Sequence, residues 1–125
     1  MKIAISSSRQ TLDSQVDQRF GRAEYFIVVE TESMEFEVLN NDNNASSGGA
    51  GIGTAKLLVD ADVKAVLTGN CGPNAQKTLS AAGIKLYTGV SGTVSDAIES
   101  FKAGKLSETF EPNVDSHFGM GSANG

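Results

Sequence analysis

The chain has 125 residues, ten basic against fifteen acidic, for a formal charge of −5 and a pI near 4.7. An apolar fraction of 39% with 20% charged residues reads, at this length, as one soluble globular domain rather than a disordered chain. That acidic balance, with no basic run and no window approaching about 20 apolar residues, argues against nucleic acid, an anionic membrane surface or a membrane span as partners.

The opening MKIAISSSRQ lacks the apolar core of an export signal, and the chain carries a single Cys, so a reducing cytoplasm is the expected compartment. KIAIS (2–6) reads as a buried first strand, and the polar stretch that follows it as a connection. YFIVVET (25–31) and MEFEVLN (34–40) form an expected hairpin closed by Glu32 and Ser33. In its second arm Met34, Phe36 and Val38 alternate with Glu35, Glu37 and Leu39, which suits an edge strand. NNDNNASSGG is a loop of turn-forming residues. AGIGTAKLLVDA then predicts a helix with Ile52, Ala55, Leu58 and Val59 on its inner face.

KAVLTGN (64–70) reads as a buried strand, PNAQKTLSAAG as a helix opened by Pro73 and closed by Gly83, and IKLYTG as a last strand. TVSDAIESFKAG predicts a helix with Thr93 as N-cap, Asp96 three residues on, an inward face of Val94, Ala97, Ile98 and Phe101, and Gly104 at its end. The order β-β-β-α-β-α-β-α with right-handed crossovers makes strands one, four and five parallel neighbours and puts the hairpin on the other side. The expected fold is α/β, a five-stranded mixed sheet flanked by helices. The domain is expected to span 1–106, with 107–125 as a flexible Gly-rich tail.

In open α/β sheets ligands sit beyond the carboxyl ends of the strands. GGAGIGTA (48–55), GNCGPNA (69–75) and GVSGTV (89–94) all arrive at that edge, each leading into a helix whose first N–H groups and positive dipole end suit an anion. Gly49, Gly51 and Gly53 imitate part of a dinucleotide fingerprint. The long Asn-rich loop before them and the position of the preceding strand favour a turn that packs a helix close to the sheet. In VDQRFGRAEYF (16–26), Arg19 and Arg22 have two readings: surface pairs with Asp13, Asp17 or Glu24, or a guanidinium aimed at an oxyanion. Phe20 between them reads as a plug under the loop.

Hydrolytic chemistry has no support, because the lone His117 lies in the expected tail. The central strands KIAIS and KAVLT carry no carboxylate for a two-metal nuclease. One Cys, one His and three Met do not make a zinc cage. A single soft ligand can still anchor a preassembled metal–sulfur cluster. Cys71, at a strand end before a helix, is placed for a thiolate favoured by the dipole or, equally, for a small buried hydrophobe. Val16-Asp17-x-x-Phe20-Gly21 recurs as Val114-Asp115-x-x-Phe118-Gly119. Chance in a Gly-rich tail explains the repeat; the alternative is a tail that folds over the mouth and brings His117 or Met120 to a bound metal.

Taken in order, VDQRFGRAEYF, GGAGIGTA, GNCGPNA, GIKLY and GTVSDAIESFKAGKL resemble the dinitrogenase iron-molybdenum cofactor biosynthesis family over residues 1–106. That family holds NifX-like carriers, the C-terminal domain of NifB-type proteins and small stand-alone members. The resemblance implies a ribonuclease H-like fold with strand order 3-2-1-4-5 and strand two antiparallel. It also implies a nitrogen-fixation-related protein, not an enzyme, that binds an iron–sulfur–molybdenum cluster or its precursor without turnover and hands it to a delivery protein. The carried-over positions are Arg19, Phe20, Gly21 and Arg22, then 49–53, then Gly72, Pro73 and Asn74. Apart from the carried-over positions, Gly92 and Thr93 at the third turn are candidate cofactor-binding residues, and Cys71 and His117 are candidate metal ligands from their own chemistry rather than from the resemblance. The expected function is a cytoplasmic carrier or sensor, monomeric or weakly dimeric. The competing readings are a phosphate- or nucleotide-binding regulator or enzyme using the same helix ends, and an interaction module.

Overall fold

A computed structural model of the chain describes residues 1–42 and 50–110, leaving aside the Ala50 side chain. Its elements are β1 (Lys2–Ser7), β2 (Tyr25–Glu30), β3 (Phe36–Asn40), α1 (Ala50–Asp60), β4 (Ala65–Leu67), α2 (Pro73–Ala81), β5 (Lys85–Tyr87) and α3 (Val94–Lys102). The sheet order is β3-β2-β1-β4-β5. β2 runs antiparallel to both β1 and β3, and β1, β4 and β5 are parallel neighbours. Fold class, order and strand directions therefore match the expectation.

The period-two alternation of β1 builds both faces of the sheet. Ile3 and Ile5 join Ile27, Val29 and Leu67 under α3, against Val94, Ala97 and Ile98. Ala4 faces the opposite way with Phe26, Val28 and Val66, covered by Ala55 and Leu58 of α1 and Ala75 and Leu79 of α2. The central strands are buried on both sides, which is why they read as continuous apolar runs.

Three details differ from the sequence reading. The β2–β3 connection is residues 31–35 rather than two residues: Glu30 and Met34 donate backbone N–H groups to the carbonyls of Glu35 and Glu30, and Met34 takes a left-handed φ of 62°. On α1, Ile52 and Val59 stand 36% and 37% exposed, whereas Thr54 is fully buried beside Ala55 and Leu58. The buried stripe is thus Thr54, Ala55 and Leu58, and at Gly51 the helix passes close to α2, where a Cβ would lie 3.4 Å from the Ala75 Cβ. Lastly, packed chain extends beyond 106. The Thr109 N–H donates to the Leu86 carbonyl at 2.7 Å, the Thr109 hydroxyl accepts from the Thr88 N–H at 3.1 Å, and the Gln76 side chain donates to the Phe110 carbonyl.

The helix ends follow local chemistry. α2 opens on Gly72 and Pro73 and has Ala82 as C-cap, with Gly83 one residue further at φ +77°, where a side chain would be strained. α3 carries the expected capping box: the Asp96 N–H donates to Thr93 Oγ1 at 3.0 Å, and the Thr93 N–H donates to Asp96 Oδ2 at 3.2 Å.

Candidate functional site

Residues 8–24, between β1 and β2, form a strap across the carboxyl ends of the parallel strands. Asp17 N–H donates to the Ser6 carbonyl at 2.9 Å, and the buried Ser6 hydroxyl donates back to the Asp17 carbonyl at 2.7 Å while lying 2.8 Å from Thr68 Oγ1. The strap then clamps the β4–α2 turn. Asn70 N–H donates to the Gln18 carbonyl at 2.8 Å, and Phe20 N–H donates to the Asn70 carbonyl at 3.1 Å. Gln18 Nε2 reaches on to the Val90 carbonyl at 3.0 Å. The approach is close enough that a Cβ at Gly69 would lie 2.7 Å from the Gln18 Cα, so only glycine fits there.

The strap also closes the N-terminus of α3. Val94 and Ser95 donate their N–H groups to the carbonyls of Ser14 and Leu12 at 2.8 and 2.9 Å, and Asp96 N–H is held by Thr93. The Gly92 carbonyl accepts from Val16 N–H at 2.9 Å. The first N–H groups of α3 thus already have protein acceptors, and Asp96 sits in its first turn. Of the three helix ends expected to be open, that of α3 is closed by the chain itself, and Gly92 and Thr93 serve the strap.

The N-terminus of α2 differs. Gly72 is its N-cap with φ −82° and ψ 175°, no side chain among the described residues caps it, and Pro73 has no N–H to satisfy. Asn74 is exposed in the first turn, and a Cβ at Gly72 would meet nothing within 4 Å. Alongside lies the first turn of α1 at Gly51. Gly53 is half-buried inside that helix, and Gly49 lies outside the described residues.

Between these two helix ends the strap makes a tight turn in which Ala23 N–H donates to the Arg19 carbonyl at 3.0 Å. Phe20 points inward and is buried edge-on against Phe26, ring centroids 5.4 Å apart, which matches the plug expected from sequence. Arg19 and Arg22 point outward. The Arg19 side chain is 61% exposed, and its Nε makes a loose 3.7 Å ion pair with Asp17 Oδ1. The surface pair and the outward guanidinium therefore coexist. A buried amide fixes the turn from below: Asn41 Nδ2 donates to the Ala23 carbonyl at 2.8 Å, and Thr54 Oγ1 donates to Asn41 Oδ1 at 3.0 Å.

Cys71 is 1% exposed and packs in the core cluster that holds Phe20 and Ala75. Its Sγ lies 3.7 Å from the Gly72 carbonyl. Burial pushes its thiol up to about 12 from a reference of 9.0, because desolvation penalises the thiolate. Of the two readings of Cys71, its burial favours the small buried hydrophobe with a neutral thiol. His117, Met120 and the second Val-Asp-x-x-Phe-Gly copy lie outside the described residues. Among the described residues no three His, Cys, Asp or Glu side chains gather to hold a metal ion, and no helix is long and apolar enough to cross a membrane. Sequence reasoning missed Gln18, Asn41, Thr54 and Asn70. The one usable signal was a polar residue ending an apolar run, as Ser6 and Thr68 do.

The profile described as Dinitrogenase iron-molybdenum cofactor matches residues 1–104. The chain belongs to that family. It is similar to solved structures over nearly its whole length. The apo form of the orange protein (ORP) from Desulfovibrio gigas is 38% identical, covers 90% of this chain and 95% of its own, and superposes with a TM-score of 0.88. The Thermotoga protein TM1290, which its name links to NifB, is 42% identical over 87% of this chain and 93% of its own, with a TM-score of 0.78. Protein MJ0580 of Methanocaldococcus jannaschii is 32% identical over 114 residues, 89% of this chain and 92% of that one. Membership points to a role in the biosynthesis or binding of the iron-molybdenum cofactor.

Proposed function

We propose that this protein is a cytoplasmic carrier that holds an anionic metal–sulfur cluster, or a precursor of one, as cargo at the paired N-termini of α1 and α2, without turnover. The observation that carries the reading is the uncapped α2 N-terminus beside an arginine-bearing turn, in a chain whose net charge is −5. A negative chain offers an anion few favourable surfaces, and a helix end with outward guanidiniums is one of them. The N–H groups of Asn74 and the following residue, with Arg19 and Arg22, suit sulfide or oxo ligands of a cluster that brings its own metal–sulfur bonds. Cys71 enters this reading as a packing residue. Release to a delivery protein, a monomeric or weakly dimeric state and a ribonuclease H-like classification of the fold belong to the same proposal.

The test is anaerobic incubation with iron, sulfide and molybdate, then desalting, metal analysis and visible absorption. Tetrathiomolybdate serves as a soluble molybdenum–sulfur anion for equilibrium titration. The expected result is retained metal in the wild type and in Cys71→Ala, and loss in the Arg19→Ala/Arg22→Ala double variant. No retained metal in the wild type, together with a raised melting temperature in phosphate esters, would replace this reading with a phosphate-ligand protein.

A further inference from the structure

Two buried polar side chains take no part in the sheet or in either helix cap. Asn41 is 2% exposed and Thr54 fully buried, and they meet where the exit of β3, the second turn of α1 and the underside of the arginine-bearing turn converge. The Asn41 amide is read on both ends. Its Nδ2 donates to the carbonyls of Ala23 and Gly21 at 2.8 and 3.4 Å, and its Oδ1 accepts from Thr54 Oγ1 at 3.0 Å. Thr54 Oγ1 also lies 3.5 Å from the Gly21 carbonyl, and Asn41 N–H donates to the Glu24 carbonyl at 2.8 Å.

We infer that Asn41 and Thr54 are positioning residues for cargo binding: their buried hydrogen bond holds the turn carrying Arg19 and Arg22 at a fixed height against α1. The inference rests on the carrier reading of the preceding section. Packing alone does not call for this pair, since a valine has the shape of Thr54 and brings no polar group that must be satisfied. The turn is clamped on its other side by the Asn70 carbonyl, which accepts from Phe20 N–H at 3.1 Å. Through these two clamps the guanidiniums keep one register between the α1 and α2 ends. A bound anion then meets donors already in place instead of ordering them, which is where preorganisation raises affinity.

The experiment compares Thr54→Val, Thr54→Ser and, as a control for lost stability, Ile98→Val in α3, which packs on the opposite face of the sheet. Amide exchange of Phe20 and Ala23, followed by NMR in the ligand-free protein, should accelerate about tenfold or more in Thr54→Val and stay near wild type in the other two. Tetrathiomolybdate affinity should fall about tenfold in Thr54→Val, the worth of one buried hydrogen bond, and return to within about twofold in Thr54→Ser. Unchanged exchange in Thr54→Val, or an affinity loss that Ile98→Val reproduces, overturns the inference. If the wild type binds no tetrathiomolybdate, the carrier reading falls, and the exchange result alone decides whether the pair holds the turn.

Discussion

The N-termini of α2 and α3 are built from similar material, a strand running through a Gly-containing turn into a nine-residue helix. They end up opposite in character. At α3, Thr93 and Asp96 close a capping box and the strap supplies the carbonyls of Ser14 and Leu12, so each early N–H has an acceptor from the chain itself. At α2, Gly72 brings no side chain and Pro73 no N–H, and the positive end opens toward solvent beside Arg19. The contrast teaches that a Gly-rich turn before a helix announces a site only when nothing in the chain returns to fill it. Here the filling segment lies some 80 residues away in sequence from the helix it caps.

The largest effect should come from loosening the clamp that separates the two ends. Gly69→Ala drives a Cβ into the Gln18 backbone, so its melting curve should show a loss of about 2 kcal/mol. Next, Gly72→Asp would make α2 resemble α3. It should stabilise the fold by about 0.5 kcal/mol and weaken tetrathiomolybdate binding at least about tenfold, read by thermal melts and titration. The reciprocal change, Thr93→Ala, should cost about 1 kcal/mol in denaturant titration and leave that affinity alone. A matching loss of affinity would erase the distinction between the ends.

The smallest effect concerns Cys71. Its folded pKa is raised, so its contribution to stability is full below pH 9 and falls as pH climbs toward about 12, because the unfolded chain gives up the proton first. Between pH 8 and 9.5 the wild type should lose on the order of 0.8 kcal/mol more than Cys71→Ala. Equal slopes would point to a thiolate at the open end after all.

What was legible in the sequence was local or periodic. Thr93-x-x-Asp96 spells a cap within four residues, and the alternation of strands and helices makes strands one, four and five neighbours with the hairpin beyond them, while the full 3-2-1-4-5 order came with the family resemblance. Ile52 and Val59 were misjudged because periodicity marks an apolar stripe but not which stripe meets a neighbour. Ala55 and Leu58 of the expected stripe are buried, and the hydrogen bond of Thr54 shifts the buried stripe to its side, leaving Ile52 and Val59 at the margin. The strap read as a plain connection, since its grip on Gly92, Asn70 and Val94 runs through backbone groups that every residue has. For Cys71 the dipole could be read from position, and the desolvation that penalises its thiolate only from packing.

Thr109 has a bearing on how copies of this chain can meet. By occupying the Leu86 carbonyl and the Thr88 N–H, it blunts the outer margin of β5 at one end of the sheet, while β3 is the margin at the other. Among the described residues this leaves the sheet one-sided as a template. Backbone pairing between molecules through β3 would join two sheets about a two-fold axis and stop there, because neither sheet presents a second margin for further growth.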